Sequence, residues 1–297
     1  MTDASASPPP AGKQPLDIGK VIGDVFGLYF KTLPVFFVIV FVPYFFFDLF
    51  LNQSLQRTIQ DSIATGEFEA LSFGITIAAA VIPFILGFVF LQAVMIYMAV
   101  SMRMGQGYAL GRAIAAALRG LIPIIGITLL FLLIVFAIYG AIFGMIWTNP
   151  DLVWLLFAIV PAFMVVALIV AAMFYVYMPA IVFENAGFGA LGRSLELTRG
   201  YRGAIIGQMI LLFFILLMVS MVLGLIIGAV SVAFLAQNLD GMSQSTEFVL
   251  PWWYSLINAG VNGLSLPISL IPPAIVYTRL REIKEGGEAD ILRTVFD

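Results

Sequence analysis

Membrane-length apolar runs alternate with short stretches in which charged and apolar residues recur at helical spacing, and the alternation occurs three times along the chain. The last instance is the clearest. From 204 to 236 there is no charged residue, enough chain to cross a hydrocarbon core of about 30 Å with some tilt. In the segment just before it, at about 100° per residue, Phe188, Leu191, Leu195 and Thr198 fall on one side of a helix. Arg193, Glu196 and Arg199 occupy much of the remainder, so the segment is amphipathic and needs an apolar surface to lie on. Gly200 and Gly203 allow a change of direction. The unit reads as an interfacial helix followed by a spanning helix.

The same opening recurs upstream. Ile18-Gly19-Lys20, Leu110-Gly111-Arg112 and Leu191-Gly192-Arg193 all read aliphatic, glycine, base, and an aliphatic residue follows two positions later at Ile22, Ile114 and Leu195. The glycines are 92 and 81 residues apart, and a longer hairpin loop in the first copy absorbs the difference. An internal repeat is expected over 16–104, 108–183 and 188–285. In chain order the spans are placed at about 33–51, 73–102, 121–147, 152–178, 204–236 and 252–277. Polar loops are expected at 52–72 and 237–251, and a tight turn at Thr148-Asn149-Pro150-Asp151. Trp147 and Trp154 flank that turn as interfacial anchors. Residues 1–15, rich in proline, alanine and serine, read as a disordered cytoplasmic tail without the pattern of a signal peptide. Residues 286–297 read as a second cytoplasmic tail, leaving 16–285 as a single six-helix transmembrane domain.

Composition agrees with the pattern. The chain is 62% hydrophobic and 10% charged, with a mean hydropathy of +1.08, far outside the range of soluble globular domains. There is no cysteine and no histidine, so thiolate chemistry, disulfides and the commonest general base and metal ligand are all missing. The net charge of −3 says less than its distribution. On the six-span reading, thirteen of the fourteen bases fall on the N-terminal side and only Arg57 lies opposite. By the positive-inside bias, both termini and the three amphipathic helices are cytoplasmic.

Ionisable groups within the spans would be functional suspects, but nearly none occur. Asp48 falls near the outer boundary, where it either reaches water or serves a function. Asn258 and Asn262 share a helix face at i, i+4, which suits interhelical hydrogen bonds or a lined path. Met95, Met98, Met102 and Met104 read as packing residues rather than metal ligands. Gly140 with Gly144, and Gly224 with Gly228, offer small faces for internal packing or for oligomers. At the cytoplasmic end, Glu184 closes the fourth span shortly before Arg193, Glu196 and Arg199. It pairs there as a structural connector, or the repeated bases Lys20, Arg112 and Arg193, with Arg119 and Arg199, form a pocket for anionic headgroups or a partner.

Pro179-Ala180-Ile181-Val182-Phe183-Glu184-Asn185, the stretch Arg193-Ser194-Leu195-Glu196-Leu197-Thr198-Arg199-Gly200, and the closing Ala274-Ile275-Val276-Tyr277-Thr278-Arg279-Leu280-Arg281-Glu282 carry a family resemblance. They resemble the membrane domain of bacterial glycerophosphoryl diester phosphodiesterases and related six-span inner-membrane proteins. Leu195 and Gly203 stand where that family often has tryptophan. The resemblance does not imply the esterase activity, which in that family belongs to a separate soluble barrel with histidine and acidic residues around a metal. This chain has neither that length nor a histidine.

The expectation is therefore an all-α integral membrane protein of three pseudo-repeated hairpins, each preceded by a cytoplasmic amphipathic helix, in a bacterial cytoplasmic membrane. No catalytic, cofactor or metal site is expected, and no nucleic-acid partner. A non-catalytic accessory or scaffold subunit or lipid organiser suits these features, with membrane lipids or a membrane protein complex as partners. A translocator of lipid or apolar solute is the alternative.

Overall fold

The structure is a computed structural model that describes residues 16–65, 70–242 and 251–286. Both expected tails, apart from Gly286, and parts of the two polar loops lie outside the described residues. The described chain is helical, with no strand. Its helices are α1 (Ile18–Thr65), α2 (Ala70–Arg103), α3 (Leu110–Thr148), α4 (Leu156–Met173), α5 (Tyr177–Glu184), α6 (Ala190–Thr198), α7 (Arg202–Met242) and α8 (Trp252–Glu285). Six helical stretches are long and apolar enough to cross a membrane, which makes this a multi-pass membrane architecture.

The first and last helices form the centre. α1 and α8 run antiparallel in the most extensive helix contact of the chain, with Asp24 against Arg279 at one end and Asp48 against Asn258 toward the other. Lipid tails are as apolar as leucine, so close packing must hold such helices together. Gly263 of α8 supplies it: a Cβ there would come within 2.9 Å of the Phe37 ring. α8 carries Pro267, Pro272 and Pro273 within its length, each of which removes a helical hydrogen bond. Near Pro267, the Tyr29 hydroxyl donates to the Leu264 carbonyl at 3.0 Å.

α2 lies against this pair and against α3, and buries an almost unbroken run from Ala93 to Ser101. α5 contacts α2, α3 and α8 and buries Met178, Pro179, Ala180, Ile181 and Val182, so this short helix is an internal plug. It meets α3 at Gly120, where a Cβ would stand 2.8 Å from Ile181. The outward faces of α3, α4 and α7 are a different surface. Ile122, Phe136, Phe157 and Leu225 are each at least 70% exposed, which a protein in water rarely tolerates over such an area and hydrocarbon accommodates.

The boundaries depart from the expectation in instructive places. The first two amphipathic segments are not separate helices: Ile18 opens α1 and Leu110 opens α3, and each helix runs on into its span. Only the third is separate, because Gly200 takes φ 91°, a left-handed conformation that stops α6 before α7 begins. α1 also continues to Thr65, through what reads in sequence as the start of a loop. The fourth span breaks at 174–176, between α4 and α5. Gly140, Gly144, Gly224 and Gly228 have nothing within 4 Å of a would-be Cβ, so these small faces take no part in packing within the chain.

Candidate functional site

The densest polar arrangement gathers where α5, α6 and α8 meet. α5 ends at Glu184 because Asn185 adopts φ 57°, ψ 34° and its N–H returns to the Ala180 carbonyl, an asparagine-tolerated left-handed cap. α6 then lies across the break in the fourth span. The Met173 carbonyl at the end of α4 has lost its helical partner; it accepts from the Ser194 hydroxyl at 3.0 Å, and the Thr198 hydroxyl stands 3.1 Å from it and 2.8 Å from the Ser194 carbonyl, sharing its one proton between the two. Ser194 Oγ in turn accepts the Val176 N–H at 3.3 Å. The side of α6 turned to the protein is Ala190, Ser194, Leu197 and Thr198, all buried, so of the residues on the expected apolar side Thr198 packs inside while Phe188 is 62% exposed. The orphan backbone groups of the broken span draw the hydroxyls inward.

With that face fixed, Arg193 is held over Glu184. Its Nε donates to one carboxylate oxygen at 2.9 Å and its Nη2 to the other at 3.0 Å, the two-pronged geometry that suits guanidinium best. The Tyr277 hydroxyl of α8 donates to Glu184 Oε1 at 2.7 Å. Arg193 also pairs with Glu285 and, at 3.6 Å, with Glu196, and Arg281 pairs with Glu285 at 2.9 Å. The hydrogen bond to Glu184 outweighs the cost of burial and, with the bond to Glu285, raises the Arg193 pKa further. Arg193 is therefore cationic at any relevant pH. Lys284 adds bonds from Nζ to the Glu196 and Arg199 carbonyls, the latter at 3.0 Å, which tie the end of α6 to the end of α8.

A second cluster joins α1, α2 and α8 at the same end. Asp24 Oδ2 accepts from Arg279 at 2.6 Å and Arg103 at 3.0 Å. The two clusters both lean on the last turns of α8. Together they form an ionic clasp that ties five helices at one end of the bundle. Chemically it is saturated: the Glu184 carboxylate takes three donors, which leaves it a poor proton acceptor.

Of the residues singled out in sequence, the structure brings together Glu184, Arg193 and Glu196. Lys20, Arg112, Arg119 and Arg199 are exposed and make no ion pair among the described residues. Lys20 lines a small hollow of about 160 Å³ with Asp17, Arg279 and Glu282, two bases against two acids. Tyr277, Glu285 and Asp24 escaped the sequence reading as site residues. Toward the other end, Asn258 donates to Asp48 at 2.8 Å and Asn262 to the Asn258 side chain at 3.2 Å, so the asparagine pair serves contact between α1 and α8. Comparison with protein-family models, with curated proteins and with solved structures finds no match to this chain.

Proposed function

We propose that this chain is a non-catalytic protein of a bacterial cytoplasmic membrane, with both termini on the cytoplasmic side, that acts as an accessory or scaffold subunit or organises anionic lipid. One observation carries the reading. The convergent ionic groups are spent on joining helices, while Lys20, Lys31, Arg112, Arg119 and Arg199 stand exposed and free of ion pairs among the described residues. Exposed bases on a chain with broad apolar flanks suit a membrane surface rich in anionic headgroups, at about 1 kcal/mol for each base near that surface.

The finer architecture belongs to the same reading: three hairpins related by an internal repeat, each introduced by an amphipathic segment at the cytoplasmic face. In its support, each aliphatic-glycine-base triad stands in the first turn of a helix, α1, α3 and α6. Kinship with the membrane domain of the glycerophosphoryl diester phosphodiesterases is also part of the proposal. The segments that resemble that domain are those that build α5, α6 and the closing turns of α8.

Native mass spectrometry of the protein extracted from its own membrane in mild detergent tests this. A partner subunit or an anionic lipid retained in fixed stoichiometry is expected, and a bare monomer with neither would refute the reading. A translocator of lipid or apolar solute is the second reading, favoured by a largely apolar cavity of about 500 Å³ between α4, α7 and α8. Transport of a labelled lipid across reconstituted vesicles would move that reading to first place.

A further inference from the structure

Of the three segments that open aliphatic-glycine-base, only one leaves its large aliphatic residues uncovered. In α1, Ile18, Ile22, Val25 and Phe26 are buried or half-buried, and in α6 so are Leu191 and Leu195. At the start of α3 the small residues Ala113, Ala117 and Gly120 turn inward, while Leu110, Ile114, Leu118 and Ile122 are 44%, 38%, 58% and 76% exposed. Contacts along the inward side hold this rotation. The Tyr108 hydroxyl donates to the Lys31 carbonyl of α1 at 3.2 Å, and a Cβ at Gly120 or Gly126 would come within 2.8 Å of Ile181 or 2.9 Å of the Phe188 ring. At about 100° per residue, Arg112 and Arg119 fall on a third side of the helix, about 130° round from the middle of the exposed aliphatic one. Both are exposed and make no ion pair among the described residues.

Length decides what meets the exposed side. α3 has 39 residues, about 58 Å at 1.5 Å per residue, whereas a hydrocarbon core of about 30 Å takes up only about 39 Å of helix even at a tilt of 40°. About 19 Å of α3 therefore lies outside the hydrocarbon. The two arginines place that excess at the start of the helix, since a guanidinium within hydrocarbon is costly. The aliphatic side there nevertheless runs on, along the same face, into Leu129, Leu133 and Phe136 of the spanning part, which are 58–70% exposed and meet lipid. Pro123 stands where the two parts join, and a helical hydrogen bond is lost there. An aliphatic side continuous with the lipid-facing one, flanked by bases, suits a helix lying in the headgroup layer. Such a helix sinks its apolar residues about 5–10 Å and lets its arginines reach phosphate. We propose that residues 110–122 of α3 lie in the headgroup layer and bind anionic phospholipid, with Leu110, Ile114, Leu118 and Ile122 among the acyl chains and Arg112 and Arg119 on the phosphates. The proposal rests on the reading of the chain as an organiser of anionic lipid, and it gives that contact to one of the three amphipathic segments.

The test places a bimane fluorophore on a single cysteine, L118C, in the full-length chain reconstituted in vesicles of phosphatidylcholine and phosphatidylglycerol. Leu118 is exposed, so the substitution leaves the packing intact. Strong quenching by lipid that carries a nitroxide high on its acyl chain, and weak quenching by aqueous iodide, is expected. Nitroxide-labelled phosphatidylglycerol should be enriched about fivefold over labelled phosphatidylcholine near L118C, the worth of one base near an anionic surface. R112Q combined with R119Q should bring the two lipids level. F157C, at the other end of the bundle, should show no preference. Equal enrichment at F157C, or iodide quenching of L118C above nitroxide quenching, would overturn the proposal. In either case a phosphatidylglycerol preference at F30C, beside the exposed Lys31, would leave the surface-organiser reading standing. No preference at L118C or at F30C would overturn both. Energy transfer between copies labelled at L118C, with neither quencher effective, would put a second copy on this side and also overturn the proposal.

Discussion

Replacing Glu184 by leucine removes the acceptor on which the clasp converges. Three donors lose it at once: two from Arg193, at 2.9 and 3.0 Å, and the Tyr277 hydroxyl at 2.7 Å. Their losses differ in kind. Tyr277 is fully buried, so its orphaned hydroxyl bears a desolvation penalty of about 1–3 kcal/mol. The Arg193 side chain is 23% exposed and keeps Glu285 and Glu196. Its loss therefore falls below the 3–5 kcal/mol of a fully buried broken pair, at about 1–2 kcal/mol. E184L should destabilise the bundle by about 2–5 kcal/mol. Reversible unfolding of the purified protein in mixed micelles, titrated with sodium dodecyl sulfate, measures this. Y277F tests the partition: alone it should cost about 1 kcal/mol, and in the E184L background much less, because the hydroxyl that strands there is already gone. A cost for E184L within the 0.5 kcal/mol of an ordinary surface substitution, or strict additivity with Y277F, would refute the argument that this carboxylate joins α5, α6 and α8.

Three further outcomes follow from the packing. G263A should cost about 1–3 kcal/mol in the same titration by overpacking against Phe37, whereas G140A, which meets nothing, should be neutral or gain up to about 1 kcal/mol. S194A should cost about 1–2 kcal/mol, since the Val176 N–H loses its acceptor while Thr198 still serves the Met173 carbonyl. D24L leaves Arg103 and Arg279 facing each other without the shared carboxylate. It should destabilise by about 2 kcal/mol, with part of the loss recovered at high salt as the two bases are screened.

How far the sequence speaks depends on whether a feature is local. Uncharged runs of membrane length name themselves, and the structure has helices over all six. The pairing of Glu184 with Arg193 is nearly local as well, nine residues apart, and the reading of an acid trapped beside repeated bases includes it. Tyr277 and Glu285 join the same cluster from more than ninety residues away, and no periodicity links them to it. Helix ends are less legible. Ile18 and Leu110 begin long helices because nothing after them forces a left-handed residue, while Gly200 does so after α6, and a glycine's φ is not written in its identity. The inward face of α6 is hidden for another reason: periodicity groups Thr198 with the apolar side, and only the unmet carbonyl of Met173 accounts for Ser194 being buried beside it.

The proposed orientation puts the ionic clasp and the exposed bases at the cytoplasmic end of the six spans. The chain has no cysteine, so single cysteines at Lys20, Arg112, Arg199 and Asp151 can be labelled in sealed, right-side-out membrane vesicles with a membrane-impermeant maleimide. Labelling of D151C alone in intact vesicles, with K20C, R112C and R199C reacting only after the vesicles are opened, is the predicted result. Labelling of any of those three from outside, or protection of D151C, would contradict the account.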